Sequence, residues 1–259
     1  MHEAPILVVG GFRIDLSIIL TLFVSGAITF IIARLAVRKL SVTNPSKMQN
    51  FMEWVVEFVH NTVASTMPLH RAKAFVSLGM TLIMFIFISN LLGLPFAIVT
   101  EHTKELSLFG IPIVTEAAIQ AAIAKGHHGA EYLWWKSPTA DISVTLGFAA
   151  IVFVLVHYLG LTRNTKHYLK HYFQPYWFFF PLNLLEAIVK PITLAVRLFA
   201  NIFAGEILIA TILMAGVFGI PFMMAWQGFS IFVGAIQAFL FTILTMVYIS
   251  QASVHEEGH

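Results

Sequence analysis

Arg197 stands out because of its setting. It sits inside a long apolar run, with Ile-Thr-Leu-Ala-Val before it and Leu-Phe-Ala-Asn-Ile-Phe-Ala-Gly after it. The run has the length and composition of a membrane span, and an arginine at bilayer depth costs about 2.5–3.5 kcal/mol on insertion scales. A lysine would escape that cost by losing its proton. A guanidinium, whose pKa stays above about 12, does not. A fixed positive charge at that depth can hold an anion or repel a cation, so Arg197 is read as functional.

Its neighbours extend the pattern. At 100° per residue Glu186, Lys190, Arg197 and Asn201 fall within about 60° of one another on a helix, while Glu206 falls nearly opposite Arg197. Further on, Gln227, Ser230, Gly234, Gln237, Thr245 and Tyr248 share one stripe. Gly234 permits close backbone approach there, and the amides and hydroxyls can hydrogen-bond a neighbouring helix. Acidic groups at different depths on different faces do not make one continuous pore. They suit two partial aqueous paths separated by a fixed positive charge.

Structural readings stand beside these. Arg197 can pair with Glu186 or Glu206 to hold helices together, and Glu206 can be a buried protonated acid. Glu186 and Lys190 can be an ordinary i,i+4 pair near the interface. Ser230 and Gln237 can be packing hydrogen bonds. His127 and His128 read as a solvated loop without a further metal ligand at sensible spacing, and His157 and Tyr158 as interfacial.

The surrounding composition says what must position these groups. Of 259 residues, 58% are hydrophobic and only 11% charged, with mean hydropathy +0.84. Soluble domains carry about a quarter charged residues, so this is a polytopic helical membrane protein. The net charge of +2 gives no argument for nucleic acid, and the absence of cysteine excludes disulfides, Fe–S clusters and thiol catalysis. No basic region precedes the first apolar run, so that run is expected to be a retained span and not a cleaved signal.

Residues 16–39 read as a first span closed by Arg34, Arg38 and Lys39. Asn44-Pro45 reads as the start of an amphipathic helix over 45–68, lying on the membrane surface or against neighbouring helices. A second span covers 74–99, an external loop 100–138, and a third span 141–162. Trp134 and Trp135 suit an interfacial belt, and Arg163, Lys166 and Lys170 mark a cytoplasmic end. Residues 176–215 and 221–253 form two helices joined by a turn at Gly216, Gly219 and Pro221. Each is on the order of 50 Å long, more than the hydrocarbon thickness, so this hairpin is expected to tilt steeply or to bend, with Pro191 a candidate. The expected fold is therefore all-α, with five crossings plus one surface helix, the N-terminus outside and the C-terminus in the cytoplasm.

Four blocks then carry a family resemblance. Lys190-Pro191, Leu194-Ala-Val-Arg197-Leu-Phe-Ala-Asn201-Ile-Phe-Ala-Gly205-Glu206 resembles the signature of subunit a of the F-type ATP synthase. Gln237-Ala-Phe-Leu-Phe with Leu244-Thr-Met-Val-Tyr248-Ile-Ser resembles that family's last helix. Ser89-Asn90-Leu-Leu-Gly-Leu-Pro95 and Pro138-Thr-Ala-Asp141-Ile-Ser-Val-Thr-Leu resemble its second and third spans. The blocks occur in family order.

The resemblance implies a proton-conducting stator of a rotary complex in the bacterial cell membrane. It implies that Arg197 faces a ring of c subunits, with b subunits of a peripheral stalk and the remaining subunits as further partners. Asn201 and Gln237 match polar residues beside that arginine. Glu206, Ser230, Asn90 and Asp141 would belong to an outer half-channel, and Glu186 to a cytoplasmic one. The family often carries histidine where Ser230 stands, and its acidic residue before Lys-Pro sits further upstream, nearer Asn183. No cofactor is implied, and the chain has no G-x-x-x-x-G-K-[ST] nucleotide motif, so it is not expected to be an enzyme on its own.

Two other function classes stand as alternatives. A stand-alone ion-coupled transporter would favour internal repeats, and none is evident. A membrane redox or metalloenzyme would need paired intramembrane histidines, whereas these lie mainly in loops and termini.

Overall fold

The computed structural model describes residues 4–9, 11–68, 72–93, 99–108, 111–124, 128–163, 165–173 and 176–253. Arg71, the stretch 94–98 with Pro95, Lys125, His127, Pro175 and the polar tail 254–259 lie outside them.

Helix α1 (Leu16–Ala36) is capped by Asp15, whose carboxylate accepts from the Ser17 N–H at 2.9 Å. Its buried hydroxyls are satisfied within the helix. Thr21 donates to the Ser17 carbonyl at 2.8 Å and Ser25 to the Thr21 carbonyl at 2.7 Å. Small side chains with no orphaned polar atom let α1 pack closely on α3 (Val76–Leu92).

Helix α2 (Lys47–Ala64) buries Met52, Val55, Val59 and Val63, one apolar stripe at helical spacing. Its cap is Ser46, whose hydroxyl accepts from the Gln49 N–H at 3.2 Å, and not Asn44. Serine meets the N3 amide from this position, and Pro45 leads into it.

The stretch expected to be a loop at 100–138 carries regular structure. Strands β3 (Val99–His102) and β6 (Ala130–Leu133) pair antiparallel, and nested between them in sequence β4 (Leu106–Leu108) and β5 (Ile111–Val114) do the same, with α4 (Glu116–Ala124) between β5 and β6. Before α1, strands β1 (Ile6–Val9) and β2 (Phe12–Asp15) form a further antiparallel pair. The chain is mostly helical, consistent with an all-α membrane protein, and these short strand pairs lie outside its long apolar helices. Short β-branched and aromatic runs outside the long apolar segments pair as strands, and Gly11, with φ +87°, takes the left-handed conformation just before β2. The Trp135 indole donates to the Leu92 carbonyl at 2.8 Å, satisfying an end group of α3.

Helix α5 (Ile142–Arg163) leads to α6 (Thr165–Tyr172), followed by α7 (Phe180–Leu213) and α8 (Ile220–Ser253). The last two are 34 residues each, about 51 Å at 1.5 Å per residue. Helix α7 runs without interruption through Pro191. The joint between α7 and α8 is a 3-10 turn over Gly216–Gly219, entered at Gly216 with φ +60°, a left-handed conformation that glycine adopts without steric cost. Among the described residues, four helical stretches are long and apolar enough to cross a membrane: Leu16–Ala36, Ile142–Arg163, Trp177–Leu213 and Gly216–Ser253. The 17-residue α3 is a shorter apolar helix.

Helix α8 organises the core. Its Met246 and Ile249 join a buried cluster with Val59 and Val63 of α2 and Met84 and Ile88 of α3. Its Ala238 and Phe241 join a second cluster with Ile86 of α3, Val152 of α5, and Leu194 and Leu198 of α7. The helix bundle has two distinct ends. One carries the strand pairs and the start of α5. The other carries Arg163, whose guanidinium lies 5.8 Å from the centroid of the Phe75 ring.

At the strand end α3 closes at Gly93, where an added Cβ would fall 2.3 Å from Ser137 Cβ and 2.9 Å from Ser137 Cα. Gly93→Ala is therefore expected to lower stability by about 1–3 kcal/mol, the usual range for overpacking. Thermal unfolding of the detergent-solubilised protein checks this, and a variant melting with the wild type would contradict the close approach.

Candidate functional site

Arg197 lies exposed on α7, with Val196 exposed beside it, while Leu194, Ala195 and Leu198 turn inward and are buried. No carboxylate among the described residues pairs with it. Glu186 is taken by Lys190 at 2.8 Å, the i,i+4 pair expected from spacing. Glu206 meets the Ser137 backbone N–H, with the charge of Lys136 nearby. The intrachain pairing of Arg197 considered from sequence is thus not formed, and the guanidinium is turned away from the chain's own core.

The turn of α7 that carries Arg197 is set level with Gln237 of α8, because Leu198 and Ala238 share one buried cluster. Asn201, one turn further along α7, is half-buried. Gln237 is 5% exposed, yet its Nε2 has no hydrogen-bond partner, and neither do Ser230 Oγ, Ser89 Oγ or Trp226 Nε1. Sequence left a packing role open for Ser230 and Gln237, and no neighbour among the described residues hydrogen-bonds these atoms. A buried polar atom left without a partner costs about 1–3 kcal/mol.

At the strand end the expected residues come together in a hydrogen-bonded chain. Asn90, 2% exposed, donates from Nδ2 to the Gly234 carbonyl at 3.1 Å and accepts from Thr139 Oγ1 at 2.6 Å. Thr139 is 2.8 Å from Ser137 Oγ, which donates to the Ser89 carbonyl at 3.0 Å. Gly234 is close enough that an added Cβ would fall 3.3 Å from Asn90 Cβ. Lys136 bridges two carboxylates, Asp15 at 2.8 Å and Asp141 at 3.5 Å, all three largely buried. Asp141 also accepts from the Ser143 N–H at 2.9 Å, holding the entry to α5. Asn90, Asp141 and Glu206 therefore converge around residues 136–139.

At the other end lies a cavity of about 780 Å³. Glu186, Asn183 and Lys190 line it from α7, Tyr248 from α8, His157 from α5, and Tyr168 and Tyr172 from α6. Asn183 and Glu186 both face it, so the two positions that sequence weighed against each other belong to one cavity. Lys190 Nζ lies 5.8 Å from the Tyr248 ring centroid. Glu186 and Glu206 are thus separated by about 30 Å along α7, with Arg197 between them.

Sequence reasoning missed Asp15, Lys136, Ser137 and Thr139 at the strand end and His157, Tyr168 and Tyr172 at the cavity. Thr139 stood inside a block already singled out. Lys136 and Asp15 are 121 positions apart, and periodicity carries no signal for such a pair.

A family model described as ATP synthase A chain matches residues 19–250. An ATP synthase subunit a from Lysinibacillus sphaericus (strain C3-41) is 44% identical over 258 residues, covering 96% of each chain. The counterpart from Priestia megaterium (strain ATCC 12872 / QMB1551) is 45% identical over 258 residues, again 96% of each, and that from Bacillus subtilis (strain 168) is 40% identical over 262 residues, 95% of each. By both the family match and these relatives, the chain belongs to the ATP synthase subunit a family.

Proposed function

We propose that this chain is the proton-conducting stator of an ATP synthase membrane sector, with two offset half-channels meeting a rotating ring of c subunits. Its family membership and apolar helices support a role in proton transport and ATP synthesis within a membrane complex. The observation that carries the finer reading is Arg197. It is a permanent cation, exposed, without an anion among the described residues of its own chain, and it stands between polar groups at opposite ends of the bundle.

Protons enter at the strand end through Asn90, Asp141, Ser230 and Glu206 and reach a carboxyl group on the ring. The neutral acid tolerates lipid and rotates away. A carboxyl returning from the other side meets Arg197, which favours its charged form, and releases its proton into the cavity lined by Glu186 and Tyr248. Asn201 and Gln237 hydrate or hydrogen-bond the reacting carboxyl beside Arg197. The same fixed charge bars direct passage of protons between the two paths. Each proton crossing contributes about 2.3 kcal/mol per 100 mV.

Helices α7 and α8 exceed a hydrocarbon core of about 30 Å, so they lie as a steeply tilted hairpin. Helix α3 is the fifth crossing and α2 lies at the surface. The strand end faces outside and the basic end the cytoplasm of a bacterial cell. The b subunits hold the chain against rotation. A stand-alone transporter is not favoured, because the cation would then lack its anion.

Arg197→Ala is expected to abolish ATP-driven proton pumping and coupled synthesis while the complex still assembles, since no ion pair among the described residues is lost. Coupled pumping retained by that variant would overturn the reading. The chain contains no cysteine, so single-cysteine variants report access directly. A cysteine at 230 should react with a membrane-impermeant thiol reagent from the strand side, and one at 186 from the cavity side. Reaction of both from one side would rule out offset half-channels.

A further inference from the structure

Within the cavity at the basic end, the geometry points to His157 as the proton relay of the inner path, exchanging its proton at Nε2 through Tyr172 and Tyr168; this rests on the half-channel reading above. Histidine is the side-chain type that takes up and releases a proton between about pH 5 and 8.

One ring nitrogen is already committed. His157 Nδ1 lies 2.8 Å from the Phe153 carbonyl oxygen, which can only accept. Nδ1 therefore carries a hydrogen in both charge states, and the second proton arrives and leaves at Nε2. Nε2 faces Tyr172 Oη at 3.4 Å, and Tyr172 Oη lies 2.9 Å from Tyr168 Oη.

This chain satisfies its donors and acceptors in either state. With a neutral ring, Tyr168 donates to Tyr172 and Tyr172 donates to Nε2. With an imidazolium, Nε2–H donates to Tyr172, Tyr172 donates to Tyr168, and the Tyr168 hydroxyl turns to cavity water. Proton gain at Nε2 thus reverses the hydroxyls with no net charge left on either tyrosine. Burial and the Tyr172 hydroxyl hold the Tyr168 phenol well above its ordinary range, so it stays an O–H donor. The 3.4 Å link is long for a hydrogen bond, and it is the joint at which the relay opens and closes.

The rings are held in place. Phe153 packs on His157 with centroids 3.9 Å apart, and Tyr168 meets His157 edge-on at 6.0 Å. Tyr168 sits against Gly160, where an added Cβ would fall 2.7 Å from its ring carbons. The charged and titratable groups facing the same cavity are Glu186 and Lys190 from α7, bound to each other at 2.8 Å, and Tyr248 from α8.

The test uses inverted vesicles carrying the whole complex with its catalytic head removed, so that the medium contacts the cytoplasmic side. Passive proton conduction under a potassium diffusion potential is measured from about pH 5.5 to 8.5, across the histidine range. His157→Gln should slow conduction by at least about tenfold near neutrality, the low end for a lost acid–base group being larger still. It should also flatten the dependence on medium pH, with subunit a abundance unchanged. Tyr172→Phe, which keeps the ring, should flatten the profile with a smaller loss. If His157→Gln fails to assemble, Tyr172→Phe decides. A wild-type pH profile in whichever variant assembles overturns the relay. Conduction in the parent vesicles that does not depend on this chain overturns the half-channel reading instead, so the two failures are distinguishable.

Discussion

A guanidinium inside an apolar helix must find an anion or water, since it has no neutral form to retreat to. In this chain the two carboxylates on the same helix are engaged elsewhere, Glu186 by Lys190 and Glu206 by the Ser137 backbone. Arg197 is left facing outward from a turn whose inner residues, Leu194 and Leu198, are locked into the core. The packing that fixes α7 against α8 therefore also fixes a positive charge on the outer surface. Each polar group at either end acquires its meaning relative to that charge.

The two ends are built from different chemistry. At the strand end, hydroxyls, an amide and a bridging lysine make a nearly closed network, with Asn90 tying α3 to α8 through the Gly234 carbonyl. At the basic end, an open cavity is edged by an ion pair and an aromatic cluster. Closed networks hold geometry, and a roomy polar cavity admits water. Between them, along α8, the unpartnered Ser230 and Gln237 side chains keep polar valences inside an otherwise apolar helix.

Much of this was legible in the sequence where the signal was local. Charge-free runs located the long helices, and the oddity of Arg197 was visible before any contact was known. The glycines and proline at 216–221 mark the break where α7 ends and α8 begins. What failed was long-range or subtle. Strand pairing within residues 100–138 looked like loop because each strand has only three or four residues. Lys136 reads as a loop lysine until α1 and α5 bring Asp15 and Asp141 to it. His157 reads as interfacial because nothing local says that two tyrosines of α6 fold back onto it. For Ser230 and Gln237 the sequence left packing and a place in a polar path both open, and only the three-dimensional arrangement shows that no neighbour among the described residues hydrogen-bonds Ser230 Oγ or Gln237 Nε2.

The partner of Arg197 is the point on which the rest turns. Ile207 is 52% exposed on the same helix, and a cysteine placed there, or at Asn201, can be oxidatively cross-linked in intact membranes to single cysteines along a small two-helix neighbour. A disulfide formed next to that neighbour's mid-membrane carboxylate, and lost when the cysteine is moved two turns away, is the predicted result. No cross-link to any such chain, with Ile207 accessible only to lipid-soluble reagents, would contradict it.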